Sequence, residues 1–354
     1  MNLISERALG IQPYTAGEQP SGRKYVKLNT NENPYPPSPR VQEVLSGFDA
    51  ELLRRYPKPN ADGLREAIAG AENVSKENVF VGNGSDEVLA LSFPAFFDAG
   101  QTACFADFTY SFYEVFAAFF GVNFIKVPIK EDFDYDLSAM IKTPCKGYYI
   151  ANPNAPTGVG VPRERMEALI AEAQTSGKIV VADEAYMDFY HQSCVPLTKT
   201  YSNLLVVKTF SKSYSLAGIR CGYAIGDAKL IDGLFRMKDC FNSYPVDSLC
   251  QAVCTAAIGD GEYRNKTAQL VIAERERLRS ELLDLGFTVP KSSANFLFAG
   301  RAKRSGKEIY EQLKEHGVLV RFWDKPFLRD FCRITIGTKE ENDELIQNLK
   351  LILR

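Results

Sequence analysis

Lys212 stands between Ser211 and Ser213, with Thr209 upstream and Arg220 eight residues downstream, inside LLVVKTFSKSYSLAGIRCGY at 204–223. An amine among hydroxyls and a guanidinium can form a Schiff base with an aldehyde and hold that aldehyde's phosphate. A lysine in a polar loop is ordinarily just solvated, so this segment decides nothing alone. In KIVVADEAY at 178–186 four apolar residues run into Asp183, and Tyr186 follows three residues later. A carboxylate released at the C-terminal edge of a buried parallel strand can pair with a protonated ring nitrogen, while a nearby tyrosine donates to a ring oxygen. The plain alternative for Asp183 is a helix cap. In NVFVGNGSDEVLAL at 78–91 a strand breaks at Gly82 and Gly84 before an apolar helical repeat. The N–H groups of Gly84, Ser85 and Asp86 then open a helix, where the dipole favours a phosphate. NPNAPTG at 152–158 follows the strand-like GYYIAN and reads as a shaped loop.

Taken together and in this order, these segments resemble the fold-type I aminotransferases that use pyridoxal 5′-phosphate, and within them the histidinol-phosphate aminotransferase family. The likeness spans nearly the whole chain. PYTAGEQP at 13–20 and LNTNENPYPPSP at 28–39 are similar to that family's N-terminal arm, and RRYPKPNADGLREAIA at 54–69 and DFTYSFY at 107–113 continue it. FNSYPVD at 241–247, SANFLFA at 293–299 and CRITIGTKEEND at 332–343 complete it. The resemblance implies that Lys212 is the Schiff-base lysine, Asp183 the partner of the pyridine nitrogen, Tyr186 the donor to the phenolic oxygen and Tyr110 the ring that stacks on the cofactor. It places the phosphate against Gly84, Ser85, Asp86, Thr209, Ser211 and Arg220, and brings Tyr56 across a dimer interface to the neighbour's phosphate. For substrate it implies Arg333 and Arg321 as anion-binding arginines, with Tyr14, Tyr244 and Asn295 beside them. One position departs from the pattern: Ala155 stands where such enzymes place asparagine before Pro-Thr-Gly, leaving Asn154, Asn152 or Tyr186 alone to serve the ring oxygen.

The activity so implied is a ping-pong transamination in histidine biosynthesis, from L-histidinol phosphate to 2-oxoglutarate, giving imidazole-acetol phosphate and L-glutamate. An aromatic amino-acid aminotransferase, a threonine-phosphate decarboxylase and a non-enzymatic cofactor binder are the alternatives on the same scaffold, because fold and cofactor do not fix the reaction.

The elements that must position these residues alternate strand and helix from about residue 40 to about 245, the pattern of an α/β fold with a mainly parallel sheet. Beyond that, the helical AERERLRSELLDLG at 273–286 precedes strand-like FTV, ANFLFA, VLVRFW and CRITIG segments. The expected organisation is an arm over 1–39 packing on a smaller α/β domain at 246–354, with the large cofactor domain at 40–245. With 45% hydrophobic and 24% charged residues, the chain can bury a large core. A net charge of -2 gives no reason to expect nucleic acid or an anionic membrane as partner. No signal peptide or long apolar span is read, so the expected compartment is the cytoplasm. Cys104, Cys145, Cys194, Cys221, Cys240, Cys250, Cys254 and Cys332 show no paired CxxC and read as reduced core thiols. His191 and His316 lie beside no ligand cluster, so metal chemistry has little support.

Overall fold

The computed structural model describes residues 3–15 and 17–354, so Met1, Asn2 and Ala16 of the arm lie outside the described residues. Strands Val79–Gly82, Gly147–Ala151, Ile179–Asp183, Leu204–Thr209 and Gly222–Gly226 are buried at every residue. Runs this apolar can only sit in a sheet covered on both faces. That sheet has seven strands in the order Val79–Gly82, Gly222–Gly226, Leu204–Thr209, Ile179–Asp183, Gly147–Ala151, Thr102–Ala106 and Asn123–Val127. Gly222–Gly226 is antiparallel to both of its neighbours, and the remaining pairings of the sheet are parallel. Side chains alternate between two cores: Val180, Ala182, Leu204 and Val206 face one, Val181, Leu205 and Val207 the other.

The register brings one edge of this sheet together. Gly82 pairs with Gly222, Gly222 with Thr209, and Ala151 with Asp183. The ends that lead into the glycine turn, the Lys212 loop, the Asp183 segment and the Asn-Pro loop therefore lie side by side.

A second sheet, in the order Arg321–Phe322, Phe331–Thr335, Phe296–Arg301 and Phe287–Thr288, is antiparallel throughout. It packs with helices Gly261–Asp284, Gly306–Glu315 and Lys339–Ile352 around its own core. The last two helices start in capping boxes, Ser305 with Glu308 and Thr338 with Glu341. The arm joins this unit: Val26–Lys27 pairs in parallel with Val318–Leu319, Leu28 enters its core, and Glu18 meets Lys314 and Tyr310.

Packing passes from one unit to the other later than residue 245. Val246 and helix Ser248–Ile258, through Cys250, Val253, Cys254, Ala257 and Ile258, share the core of the seven-stranded sheet. Helix Gly261–Asp284 then turns Ala268, Val271, Leu278 and Leu282 to the second core. The change of texture near 245 marks a surface loop, one helix before the change of core.

Candidate active site

Between the two units lies a cavity of about 550 Å³, lined by Lys212, Asp183, Tyr186, Tyr110, Ser85 and Arg220 among others, and by Arg321 and Arg333 from the second unit. Asp183 closes its strand and is almost fully buried. Tyr113 donates to it at 2.7 Å and the Ala185 N–H at 3.2 Å. Burial pushes this carboxyl up to about 6 against the pull of those two bonds. Its hydrogen-bond donors are an O–H and an N–H, neither of them a cation, so a protonated ring nitrogen has the charge this site lacks.

Lys212 follows the strand Leu204–Thr209, and its Nζ donates to the Thr30 carbonyl at 3.2 Å and lies 5.6 Å from the Tyr186 ring centroid. Burial first, then the Arg333 charge, bring the amine down to about 8. Arg220 contributes in the same direction but less than Arg333. A lysine of this acidity is partly neutral near physiological pH and can act as nucleophile and base.

The anion cup forms where three loops meet. Arg220 takes a left-handed backbone, φ 58, and directs its Nη1 to Ser211 Oγ at 3.4 Å and its Nη2 to Asp86 at 3.1 Å. Thr209 Oγ1 accepts from the Ser211 N–H at 3.1 Å, which folds the loop back on its strand. Helix Gly84–Phe96 brings its first turn to the same place. This close approach depends on two glycines. A Cβ on Gly222 would lie 2.2 Å from the Ser85 nitrogen, and one on Gly84, at φ 78, would lie 2.7 Å from Arg220 Nη2. A doubly charged phosphate fits this donor set of guanidinium, hydroxyls and helix N-terminus.

Tyr110 donates to Asp86 at 2.6 Å, and burial beside that carboxylate holds its phenol well above the ordinary range. Tyr186 accepts from Asn31 Nδ2 at 2.9 Å, which leaves its own proton for the cavity. Asn31 is fixed in turn by Thr335 and by Asn295, whose Nδ2 donates to the Asn31 carbonyl at 3.0 Å. Arg333 is enclosed: Nη2 donates to the Asn29 carbonyl at 3.0 Å, the guanidinium lies 5.2 Å from the Trp323 ring centroid, and Nε is buried without a partner. Arg321 donates to the Thr15 carbonyl at 2.7 Å and also covers Trp323. Tyr14 stacks on Phe112 at 4.2 Å on the cavity wall.

Asn154 and Asn152, offered for the ring oxygen, and Asn295 and Tyr244, expected beside the substrate, do not line the cavity. Asn154 does not line the cavity: it is fully buried, with its amide on the Phe108 carbonyl and Thr157, and its oxygen on Thr109 and Tyr135. Asn152 is likewise tied to both backbone groups of Val161. Ala155 holds the cavity face instead, packed beside Tyr186. Asn295 is buried behind Asn31 and supports Tyr186 from a distance. Tyr244 and Tyr56 lie outside the cavity of their own chain, stacked on each other at 4.6 Å on the surface. Asn31, Tyr113 and Trp323 were not among the expected site residues. Asn31 and Tyr113 stood in segments already singled out, NTNENP and TYSFY, but nothing in their types separates a positioning residue from a turn or core residue.

The family of class I and II aminotransferases matches residues 23–349. The chain is 44% identical to a histidinol-phosphate aminotransferase of Brachyspira hyodysenteriae over 354 residues, covering 100% of this chain and 99% of that one. It is 48% identical to histidinol-phosphate aminotransferase 1 of Bradyrhizobium diazoefficiens, over 97% of each. Among solved structures it is similar to histidinol-phosphate aminotransferase of Sinorhizobium meliloti in complex with pyridoxal-5′-phosphate, at 24% identity and TM-score 0.88, over 100% of this chain and 98% of that one. It is also similar to aspartate aminotransferase of Thermus thermophilus with maleate, at 21% identity and TM-score 0.84, over 99% and 100%.

Proposed function

The chain belongs to the class I and II aminotransferases, with their fold, and from that membership we propose that it carries the amino group of L-histidinol phosphate to 2-oxoglutarate, with pyridoxal 5′-phosphate as cofactor. The products are imidazole-acetol phosphate and L-glutamate. One observation supports this reading above the rest: an acidified lysine, a buried carboxylate awaiting a cation, and an anion cup line a single cavity. When bound, the cofactor supplies an electron sink that makes the hydrogen on the substrate's amine-bearing carbon acidic. Asp183 holds the ring nitrogen protonated, Tyr186 donates to the ring oxygen, and Arg220, Ser211, Thr209 and the turn of Gly84, Ser85 and Asp86 hold the phosphate. Lys212, neutral for much of the time near pH 8, would take up that proton at its Nζ and release it again, as a base and then an acid.

Arg333 and Arg321 select the substrate. A planar fork grips phosphate or carboxylate equally well, so the same pair serves the phosphate of the donor and the far carboxylate of the acceptor. Tyr14 offers an aromatic face to the imidazole. We also read the enzyme as a homodimer in which Tyr56 completes the partner's phosphate cup, and as cytoplasmic, the compartment in which its eight free cysteines stay reduced.

A half-reaction tests the activity. L-histidinol phosphate added to cofactor-loaded enzyme without keto acid is expected to convert the visible cofactor band to that of pyridoxamine phosphate, and 2-oxoglutarate to restore it. Conversion by aromatic amino acids but not by L-histidinol phosphate would replace the donor. Carbon dioxide release from threonine phosphate without keto acid would replace the reaction.

A further inference from the structure

Cys221, Cys250 and Cys254 bring their three sulfurs within 4.8 Å of one another, and all three are buried. Two of them lie one turn apart on the single helix Ser248–Ile258, and the third comes from the strand start next to Arg220. Three sulfurs around one ion at ordinary thiolate bond lengths stand about 4 Å apart, a spacing this cluster is able to provide. Soft thiolate sulfur selects soft ions. All three cysteines belong to the apolar core of the seven-stranded sheet, where a net charge is costly. A ligand that leaves the site neutral is therefore favoured in this apolar core.

We propose that Cys221, Cys250 and Cys254 form a three-thiol site for trivalent arsenic, taken up from arsenious acid, and that filling it weakens anion binding in the adjoining Arg220 cup. The exchange balances without an oxidant: three S–H and three As–O bonds break, three As–S bonds form, and three waters leave. Arsenic stays trivalent and the product carries no charge. Cys250 keeps the slight exposure of 3% at which exchange begins. The link to the cup is covalent and short. Cys221 follows Arg220 directly, and its carbonyl accepts from the Phe210 N–H at 3.0 Å and from Thr209 Oγ1 at 3.4 Å. Drawing Cys221 toward the helix moves the segment that shapes the cup. The metalloid site itself stands apart from the proposed activity; only its effect on the cup depends on where phosphate binds.

The test adds arsenite to the reduced full chain, free of oxygen, and reads native mass and cofactor affinity. The expected result is one arsenic per chain with three protons lost, absent in Cys254→Ala and Cys250→Ala and kept in a variant of the exposed Cys240, Cys240→Ala. Both core variants are compared with the parent by circular dichroism, and a Cys221→Ser variant provides a second, smaller change. Pyridoxal phosphate is expected to bind the arsenic-loaded chain at least ten-fold more weakly. Loss of only two protons, with the metalloid mapped to Cys104 and Cys145, overturns the site. Unchanged cofactor affinity at full loading overturns the coupling.

Discussion

At Lys212 the structure makes a strong base weak. Burial and then Arg333 lower the amine from 10.5 to about 8, so the folded, cofactor-free chain binds fewer protons than the unfolded chain between those values. Stability therefore rises as pH climbs through that window, and below pH 8 the whole cost of the buried ammonium is present. Lys212→Met removes it. The variant is expected to be more stable than the parent at pH 7 by on the order of 2 kcal/mol, allowing for the side chain's partial exposure, with the gap closing above pH 10. Denaturant titrations at the two pH values check this, and equal gaps at both would remove the shifted amine. The same variant is expected to show no visible cofactor band. Arg333 belongs to the substrate as well as to the lysine. Arg333→Gln is expected to raise KM for L-histidinol phosphate by about 10- to 100-fold, the worth of a charged hydrogen-bonded pair, with little change in cofactor affinity. Because its charge also acidifies Lys212, the rate profile should move to higher pH; a KM effect with an unmoved profile would keep the binding role and discard the electrostatic one.

At the scale of elements, the Lys212 loop rests on a buried ionic cluster. Lys208 meets Glu72 at 2.8 Å and Asp188 at 3.7 Å, Tyr223 donates to Glu72 at 2.7 Å, and Ser213, beside Lys212, donates to Asp188. Burial alone would lower the Lys208 ammonium, but Asp188, Glu72 and Glu184 together push it up. Lys208→Met leaves those carboxylates without their cation, and is expected to lower stability by about 3–5 kcal/mol at pH 8. Stranded carboxylates gain protons as pH falls, so the deficit should shrink at pH 5.5; a deficit that grows toward acid would show that the cluster does not carry the loop. This is also the scale at which reading from sequence succeeds and stops. KIVVAD and LLVVKT were legible as strands because both faces of each are covered and four apolar residues run in succession in each. Lys208 was hidden by the same run, since its partners are distant in sequence. The exchange of Ala155 for Asn154 at the cavity wall depends on a single step of rotation in a loop, which no periodicity records. The core boundary was missed because helix Ser248–Ile258 is as apolar as either unit's own helices.

For the whole molecule, the surface carries a feature that the single chain leaves without a use. Tyr56 is 83% exposed and, among the described residues, stacks on Tyr244 alone, with Leu52, Leu53 and Phe241 also exposed. Large apolar side chains gathered on one face are what an interface between copies supplies, and the resemblance in RRYPKP assigns Tyr56 to the neighbour's phosphate. If Tyr56 acts across the interface, it and Lys212 of the same chain belong to different sites. Two variants, Tyr56→Phe and Lys212→Ala, then complement each other. In a mixed dimer one site receives the Lys212 of one chain and the Tyr56 of the other, both intact, while the second site lacks both. Random reassortment of an equal mixture makes half the dimers mixed with one good site each, so the expected recovery is roughly a quarter of parental activity beyond that of either variant alone. Sedimentation of the parent should show a dimer at working concentration. A dimer that reassorts yet recovers nothing would place Tyr56 in its own chain's site or in none, and a chain that sediments as a monomer with full activity would remove the shared site altogether.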